Sequence, residues 1–203
     1  MKQEKRTELT KERIIKAAMK EFGTKGYNGA SLNAICNTGI SKGLLYHNFE
    51  NRDALYLACV KCCFDELTEY LKTQQIGNNI QKYMSARLSF FNSHELEAHL
   101  FFEALIQPPA LLQEQIIKIK QAFDEYNQNV YLQILSTITL RSDVTQEDAL
   151  VYFSLMQNMF NGYFSSSTRE DLSFSDYIIA HEEGLAKLID YLLYGIAERG
   201  SEK

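Results

Sequence analysis

The sequence predicts an all-α protein, and three observations carry that prediction. Only 2 prolines and 10 glycines interrupt the 203 residues, so long helical runs are free to persist. Apolar residues recur at three- and four-residue spacing nearly everywhere, with no convincing alternation of the kind a half-buried strand shows. Caps and breakers then divide the chain into about nine segments of helical length.

Thr10 precedes "KERIIKAAMKEFGTKGY", where Ile14, Ala17, Ala18 and Phe22 fall on one stripe and Gly23 or Gly26 ends the turn. Ser31 can cap a short second helix, "LNAICN", which "TG" breaks. Ser41 caps a third short helix running to about Phe49. Asn51 or Asp53 opens a long helix to about Leu71, and "QIGNN" links it to helices near 79–92 and 95–107. Pro108-Pro109 is the sharpest break in the chain. Helices from about 110 to 139, 146 to 165 and 174 to 198 follow, with "SSSTREDLS" between the final two. Residues 1–50 therefore read as a three-helix head and 51–203 as a larger helical body. In the head, a tight glycine-containing turn joins the second helix to the third. That is the helix-turn-helix arrangement, whose second helix lies in the DNA major groove.

Charge is distributed to match. Residues 1–65 hold 11 Lys/Arg against 7 Asp/Glu, whereas the remainder holds 10 against 19, so a basic head precedes an acidic body in a chain of net charge −5. The 45% hydrophobic content contains no run of 18 or more apolar residues, so no membrane span is expected. The charged start, "MKQEKRTELTKER", lacks the apolar centre of a secretory signal, and a cytoplasmic location is expected.

Cys59, Cys62 and Cys63 sit at i, i+3 and i+4 of an apolar stretch and, with Cys36, read as buried structural thiols. A thiol sensor or a soft-metal site is the sharper alternative for the three. His94 and His99 are five residues apart, poorly placed to share a metal. No metal and no cofactor are expected.

The third helix carries the chemistry. Ile40, Leu45 and Phe49 can face inward, which leaves Ser41, Lys42, Leu44, Tyr46 and His47 around the other side. Ser41 opens helix N-terminal amides that favour phosphate oxygens, and Lys42 adds a cation. Tyr46 and His47 supply hydrogen-bond donors, Gly43 leaves room for a close backbone, and Arg52 can reach the same rim.

These stretches strongly resemble the DNA-binding head of TetR-family transcriptional regulators. "RIIKAAMKEFGTKGYNGAS" looks like the family's first helix and Phe-x3-Gly-Tyr turn, "GISKGLLYHNF" like its recognition segment, and "NRDALYL" like the start of its fourth helix. The match covers about residues 10–57. The resemblance implies that Ser31 caps the second helix and touches phosphate. It puts Lys42, Gly43 and Leu44 nearest the bases and Tyr46, His47 and Arg52 on phosphates, with Ile35, Ile40, Leu45 and Phe49 in the core.

Three departures stand out. Ile35 to Ser41 is six steps where the family usually has seven, and the turn is expected to absorb the missing residue. A continuing helix would otherwise rotate by roughly 100°. Leu44 stands where a polar residue is common, and Glu50 where a basic one is.

The body is expected to dimerise. Tyr152, Met156, Phe160 and Tyr163 on one late helix, and Leu185, Ile189, Leu192 and Ile196 on the last, occupy arcs wider than one core face. Gly162, Gly184 and Gly195 are expected to permit close helix approach. The resemblance implies a four-helix homodimer interface from these two helices and a small-molecule effector cavity in the body. Phe90, Phe101, Phe102, Phe123 and Tyr126 are the candidate ligand contacts, with plain core as the competing reading.

The expected function is a homodimeric regulator, a repressor released from double-stranded operator DNA by an unknown small-molecule effector. Two other classes compete. An enzyme would need a nucleophile elbow, paired metal-binding histidines, a phosphate-cradling glycine loop or a catalytic pair, and the sequence offers none. A helical protein-interaction module that keeps the head fold but has lost DNA binding is the alternative that the short turn and Glu50 leave open.

Overall fold

The computed structural model describes residues 2–166 and 173–195, with side chains from residue 6 onward. Among the described residues there are nine α-helices and no strand: α1 Lys2–Gly29, α2 Leu32–Cys36, α3 Lys42–Asn48, α4 Arg52–Thr73, α5 Ile80–Ser93, α6 Glu95–Ile106, α7 Gln113–Leu135, α8 Gln146–Ser166 and α9 Phe174–Tyr194. A 3-10 turn, Ala110–Leu112, follows the prolines.

Several boundaries differ from the sequence expectation, each for a local reason. α1 starts at Lys2 rather than at Thr10, whose hydroxyl donates back to the Arg6 carbonyl at 2.8 Å and so is accommodated inside the helix. α7 stops at Leu135 instead of about 139, because the Ser136 and Thr137 hydroxyls take up the Gln133 and Ile134 carbonyls. α9 ends at Tyr194 with Gly195 as its cap, and the expected continuation to about 198 lies outside the described residues.

The chain forms two compact units: residues 1–74 with 89–126, and residues 75–88 with 127–203. In the first, α6 packs on both α1 and α4. Ile14, Phe22, Leu55, Tyr56, Phe64, Leu67 and Phe101 fill the space between them and are buried. Contact of α1 with α6 is close at Gly23, where a Cβ would stand 2.9 Å from both the Cβ and the carbonyl oxygen of Leu96. Three residues on, Gly26 takes φ 66° and ψ 177° and kinks α1. Only glycine enters that region cheaply. The kink diverts the Tyr27 N–H to the Glu103 carboxylate, at 2.9 and 3.2 Å.

In the second unit α8 packs along α9. Gly184 permits that approach, its Cβ position lying 3.1 Å from the Phe160 ring, whereas a Cβ at Gly162 would meet nothing. Tyr131 stacks on Phe153 with ring centroids 3.9 Å apart. A buried polar cluster completes the interior. Arg87 makes two parallel bonds to Glu182, 2.7 and 2.8 Å, and a longer one to the Tyr83 hydroxyl. His181 touches Glu182 at 3.2 Å and Asn161 at 3.3 Å.

Candidate nucleic-acid interface

The site is built on α3 and the turn before it. α2 ends at Cys36, and the N–H groups of Thr38, Gly39 and Ile40 return to the Ile35 and Cys36 carbonyls. Gly39 adopts φ 93°, which a side chain would resist. Arg13 of α1 reaches over to donate to the Gly39 carbonyl at 3.0 Å and holds the turn in place. Ile35 and Ile40 are both buried, so the shortened turn keeps the two helices in register with the core.

α3 then starts at a true cap. Ser41 is extended, and its hydroxyl accepts from the Leu44 N–H at 3.2 Å. Leu45 is fully buried, while Ser41, Lys42, Gly43 and His47 are exposed, Tyr46 is 54% exposed and Leu44 is half-buried. One face fixes the helix; the other is open. Phe49 differs from the expectation of core. It caps α3 in an extended conformation and is half-buried, since the helical spacing that would align it with Leu45 ends at Asn48. No shortage of space inside the chain explains Gly43, since a Cβ there would meet nothing within 4 Å.

Ser31 stands at the N-cap position of α2, with φ −128° and ψ 126°, yet its side chain makes no cap bond. Its backbone N–H instead donates to Glu21 at 3.1 Å. The Lys25 hydrogen bond, outweighing burial, and this Ser31 bond hold the Glu21 carboxyl below its ordinary value. Arg52 begins α4 with its guanidinium 4.3 Å from the Tyr27 ring centroid. Its Nε is buried without a hydrogen-bond partner. The Tyr27 hydroxyl donates to Asp53 at 2.8 Å, and that bond, then burial, raises the phenol. Arg52 is thus seated on an aromatic platform rather than standing free at the rim. Sequence reasoning missed Arg13 and Glu103. The only signal for Arg13 was a basic residue beside the buried stripe, and the partners of Glu103 lie 76 and 47 residues away.

The candidate ligand aromatics all belong to the first unit. Phe90, Phe101, Phe102 and Phe123 are all buried, and Phe101 contacts Phe64, Phe91, Phe102 and Phe123 with centroids 4.8 to 5.5 Å apart. These rings fill the core of the first unit with one another, and Tyr126 is half-buried beside Phe123 in the chain. Their packing is that of plain core, the competing reading of the stripe. None of the five lines the cavity of about 660 Å³ in the second unit.

The candidate pairing residues divide. Tyr152 and Tyr163 are more than half exposed, Met156, Phe160 and Leu192 are half-buried, and Leu185 and Ile189 are interior to their own unit at 4% and 1% exposure. The latter two are covered by their own chain rather than by solvent, a distinction a wide apolar arc does not encode. Ile196 lies outside the described residues. The exposed apolar stripe of α8 is made instead by Tyr152, Leu155, Met159 and Tyr163, with Val151 beside them.

Two of the four thiols are packing groups, whereas Cys36 and Cys62, expected to be buried, are only half-buried. Cys59 and Cys63 are buried against α1, with Cys63 Sγ 3.8 Å from Met19 Sδ. Burial pushes both thiols well above their ordinary value and raises Cys62 as well. They are held as neutral thiols, the form in which sulfur neither attacks nor ligates readily.

Comparison with known proteins agrees with this geometry. Residues 14–59 match the family model "Bacterial regulatory proteins, tetR family". The chain is 27% identical over 143 residues to the biofilm operon icaADBC HTH-type negative transcriptional regulator IcaR of Staphylococcus aureus (strain Newman), covering 70% of this chain and 69% of that one. It is also 27% identical over 128 residues to IcaR of Staphylococcus epidermidis, covering 62% and 67%. Among solved structures, a TetR-family transcriptional regulator from Rhodococcus sp. superposes with a TM-score of 0.63 at 17% identity, covering 91% of this chain and 98% of that one. PfmR from Thermus thermophilus, of the same family, gives 0.55 at 18% identity over 92% and 100%. Residues 14–59, which include the capped α3 with its open polar face, thus match the tetR family of bacterial regulatory proteins, and the chain has the fold of solved structures of that family.

Proposed function

We propose that this regulator is a repressor that binds a two-fold operator as a homodimer and is released by a small molecule. The observation that carries the reading is α3: a buried Leu45 anchors it while Ser41, Lys42, Tyr46 and His47 stand together in solvent. Exposed helix-start amides, a cation and two ring donors on one face suit a sugar-phosphate backbone. Leu44 can meet a thymine methyl. Gly43, which nothing in the chain requires to be small, leaves room for an approaching phosphate or base. Ser31 and Arg52 flank the same helix-turn-helix and complete the proposed contact set.

A head formed by residues 1–50 reads only a few base pairs, so two copies related by a two-fold axis are needed for a palindrome. The exposed stripe of α8 supports pairing, since apolar residues at four-residue spacing otherwise face water at a cost. Repression follows the IcaR relatives, which are negative regulators. Release requires only that the effector favour the DNA-incompetent state by about 1–3 kcal/mol. A cytoplasmic location follows from the same reading; among the described residues no helix is long and apolar enough to cross a membrane.

The test is binding to duplex DNA flanking the protein's own coding region, followed by fluorescence anisotropy across a salt series. Affinity should fall steeply with salt, and Lys42→Ala should lower the slope by about one. A flat salt response, or no binding to any of these duplexes, leaves a helical interaction module and overturns the proposal.

A further inference from the structure

The second unit contains a cavity of about 660 Å³ that no part of the reading so far uses. Its wall is largely apolar: Leu135 at the end of α7, Ile138 and Val144 in the following loop, Ala149 on α8 and Leu192 on α9. The volume is within the roughly 300–1,000 Å³ typical of small-molecule sites.

The charged residues of the wall are already engaged. Arg141 is bound to Asp143 at 3.0 and 2.5 Å, and Asp148 closes the start of α8 through the Thr145 N–H and hydroxyl at 2.9 and 2.6 Å. Neither offers an unspent charge to a ligand.

Tyr131 is different. It lines the cavity, is only 2% exposed, and its ring is pinned flat on Phe153. Its hydroxyl has no hydrogen-bond partner among the described residues, and it is not sealed either, since Arg52 Nε alone is both sealed and unpaired among them. A nearly buried, unpaired phenol on a ring that walls the cavity is the donor a molecule held there would meet. Burial raises that phenol to about 12, so it stays a neutral donor.

We propose that this cavity binds an uncharged, mostly apolar small molecule carrying one hydrogen-bond acceptor for the Tyr131 hydroxyl, and that it is the effector site. The second clause rests on the regulatory reading above; the first does not. The site differs from the aromatic stripe that the family resemblance pointed to, whose rings are packed against one another. It also adjoins the proposed pairing surface, because Tyr152 lines the cavity and heads the exposed stripe of α8. A molecule held there touches a residue that a second copy would cover.

The experiment titrates the full-length protein with Nile red, a neutral fluorophore with a carbonyl acceptor. Saturable uptake of one molecule per chain is expected. Ala149→Trp fills the cavity and should weaken it at least tenfold. Tyr131→Phe, which removes only the hydroxyl and keeps the stacked ring, should weaken it about 2–12-fold. Circular dichroism shows whether each variant is folded, and Tyr131→Phe carries the test where the larger side chain is not tolerated.

Unchanged affinity in folded Ala149→Trp, or in Tyr131→Phe, overturns the site. So does a probe that responds to Met159→Gln on the exposed stripe and ignores both cavity variants. Equal or tighter binding of the anionic 1-anilinonaphthalene-8-sulfonate overturns the uncharged class. A chain that takes up Nile red in this pattern but binds no DNA sinks the regulatory reading and leaves the cavity assignment standing. A chain that binds DNA but takes up no Nile red does the reverse.

Discussion

Tyr56 of α4 donates its hydroxyl to Glu103 of α6 at 2.9 Å, and the same carboxylate receives the Tyr27 N–H released by the kink at Gly26. One side chain thus joins α1, α4 and α6 within the first unit. Burial, then the Glu103 charge, raises the Tyr56 phenol well above its ordinary value, so it is a donor at every relevant pH. Glu103→Ala leaves a buried hydroxyl and an N–H without their acceptor and should cost about 2–4 kcal/mol in urea unfolding. Tyr56→Phe should cost less than half of that. Equal losses from the two would mean that Tyr27 contributes nothing.

Packing of α1 on α6 sets a second expectation. Gly23→Ala would place a methyl 2.9 Å from Leu96 backbone and Cβ, neither of which can swing aside. A loss of about 1–3 kcal/mol is expected from the enforced separation. Gly43→Ala, which meets nothing in the chain, should leave the melting temperature within a degree or two and affect only DNA affinity.

The buried Arg87–Glu182 pair predicts acid sensitivity of the second unit. Burial alone would raise the Glu182 carboxyl, but the Arg87 charge and hydrogen bonds, helped by His181, outweigh it and hold it down to about 2. A carboxyl depressed on folding contributes fully above its unfolded value near 4.5, and that contribution is lost as pH falls from there toward 2. Denaturation midpoints should therefore drop across that window and stay level from pH 5 to 7 as far as this group is concerned. Glu182→Gln should flatten the slope while costing about 3–5 kcal/mol at neutral pH, because it strands the Arg87 charge.

Thiol labelling at pH 8 separates the cysteines. Cys36 and half-buried Cys62 should react with a small disulfide reagent before unfolding, whereas Cys59 and Cys63 should react only at the rate of local opening. Early modification of all four would show that α4 does not lie sealed against α1.

Self-association should depend on the open face of α8. Met159, 68% exposed, and Leu155, 52% exposed, interrupt no internal packing, so charging either leaves the fold intact. Met159→Glu is expected to shift sedimentation from dimer to monomer with an unchanged helical spectrum. A monomeric wild type, or a dimer indifferent to both changes, refutes pairing through this stripe.

The head was largely legible in the sequence because its signals are local. A serine three residues before a capped N–H, a glycine at a turn and leucine at helical spacing act within a few residues, and Ser41, Gly39 and Leu45 are found as that logic requires. The body was less legible, since its decisive contacts are long-range. Glu182 finds Arg87 across 95 residues, and no periodicity announces it. Aromatic spacing likewise does not separate rings that fill a core, as Phe101 does, from a ring that walls a cavity, as Tyr131 does. Leu185 and Ile189 show the same limit: an apolar arc reports that a residue is covered, not by which molecule.

The crossing from Cys36 to Ser41 has no slack. Three successive amides in it are tied back to α2, Ile40 is plugged into the core and Arg13 clamps the Gly39 carbonyl. Inserting a single residue there would unplug Ile40 before it could extend the bend. Lengthening the bend by one residue therefore demands a different set of tethers, not a looser copy of these.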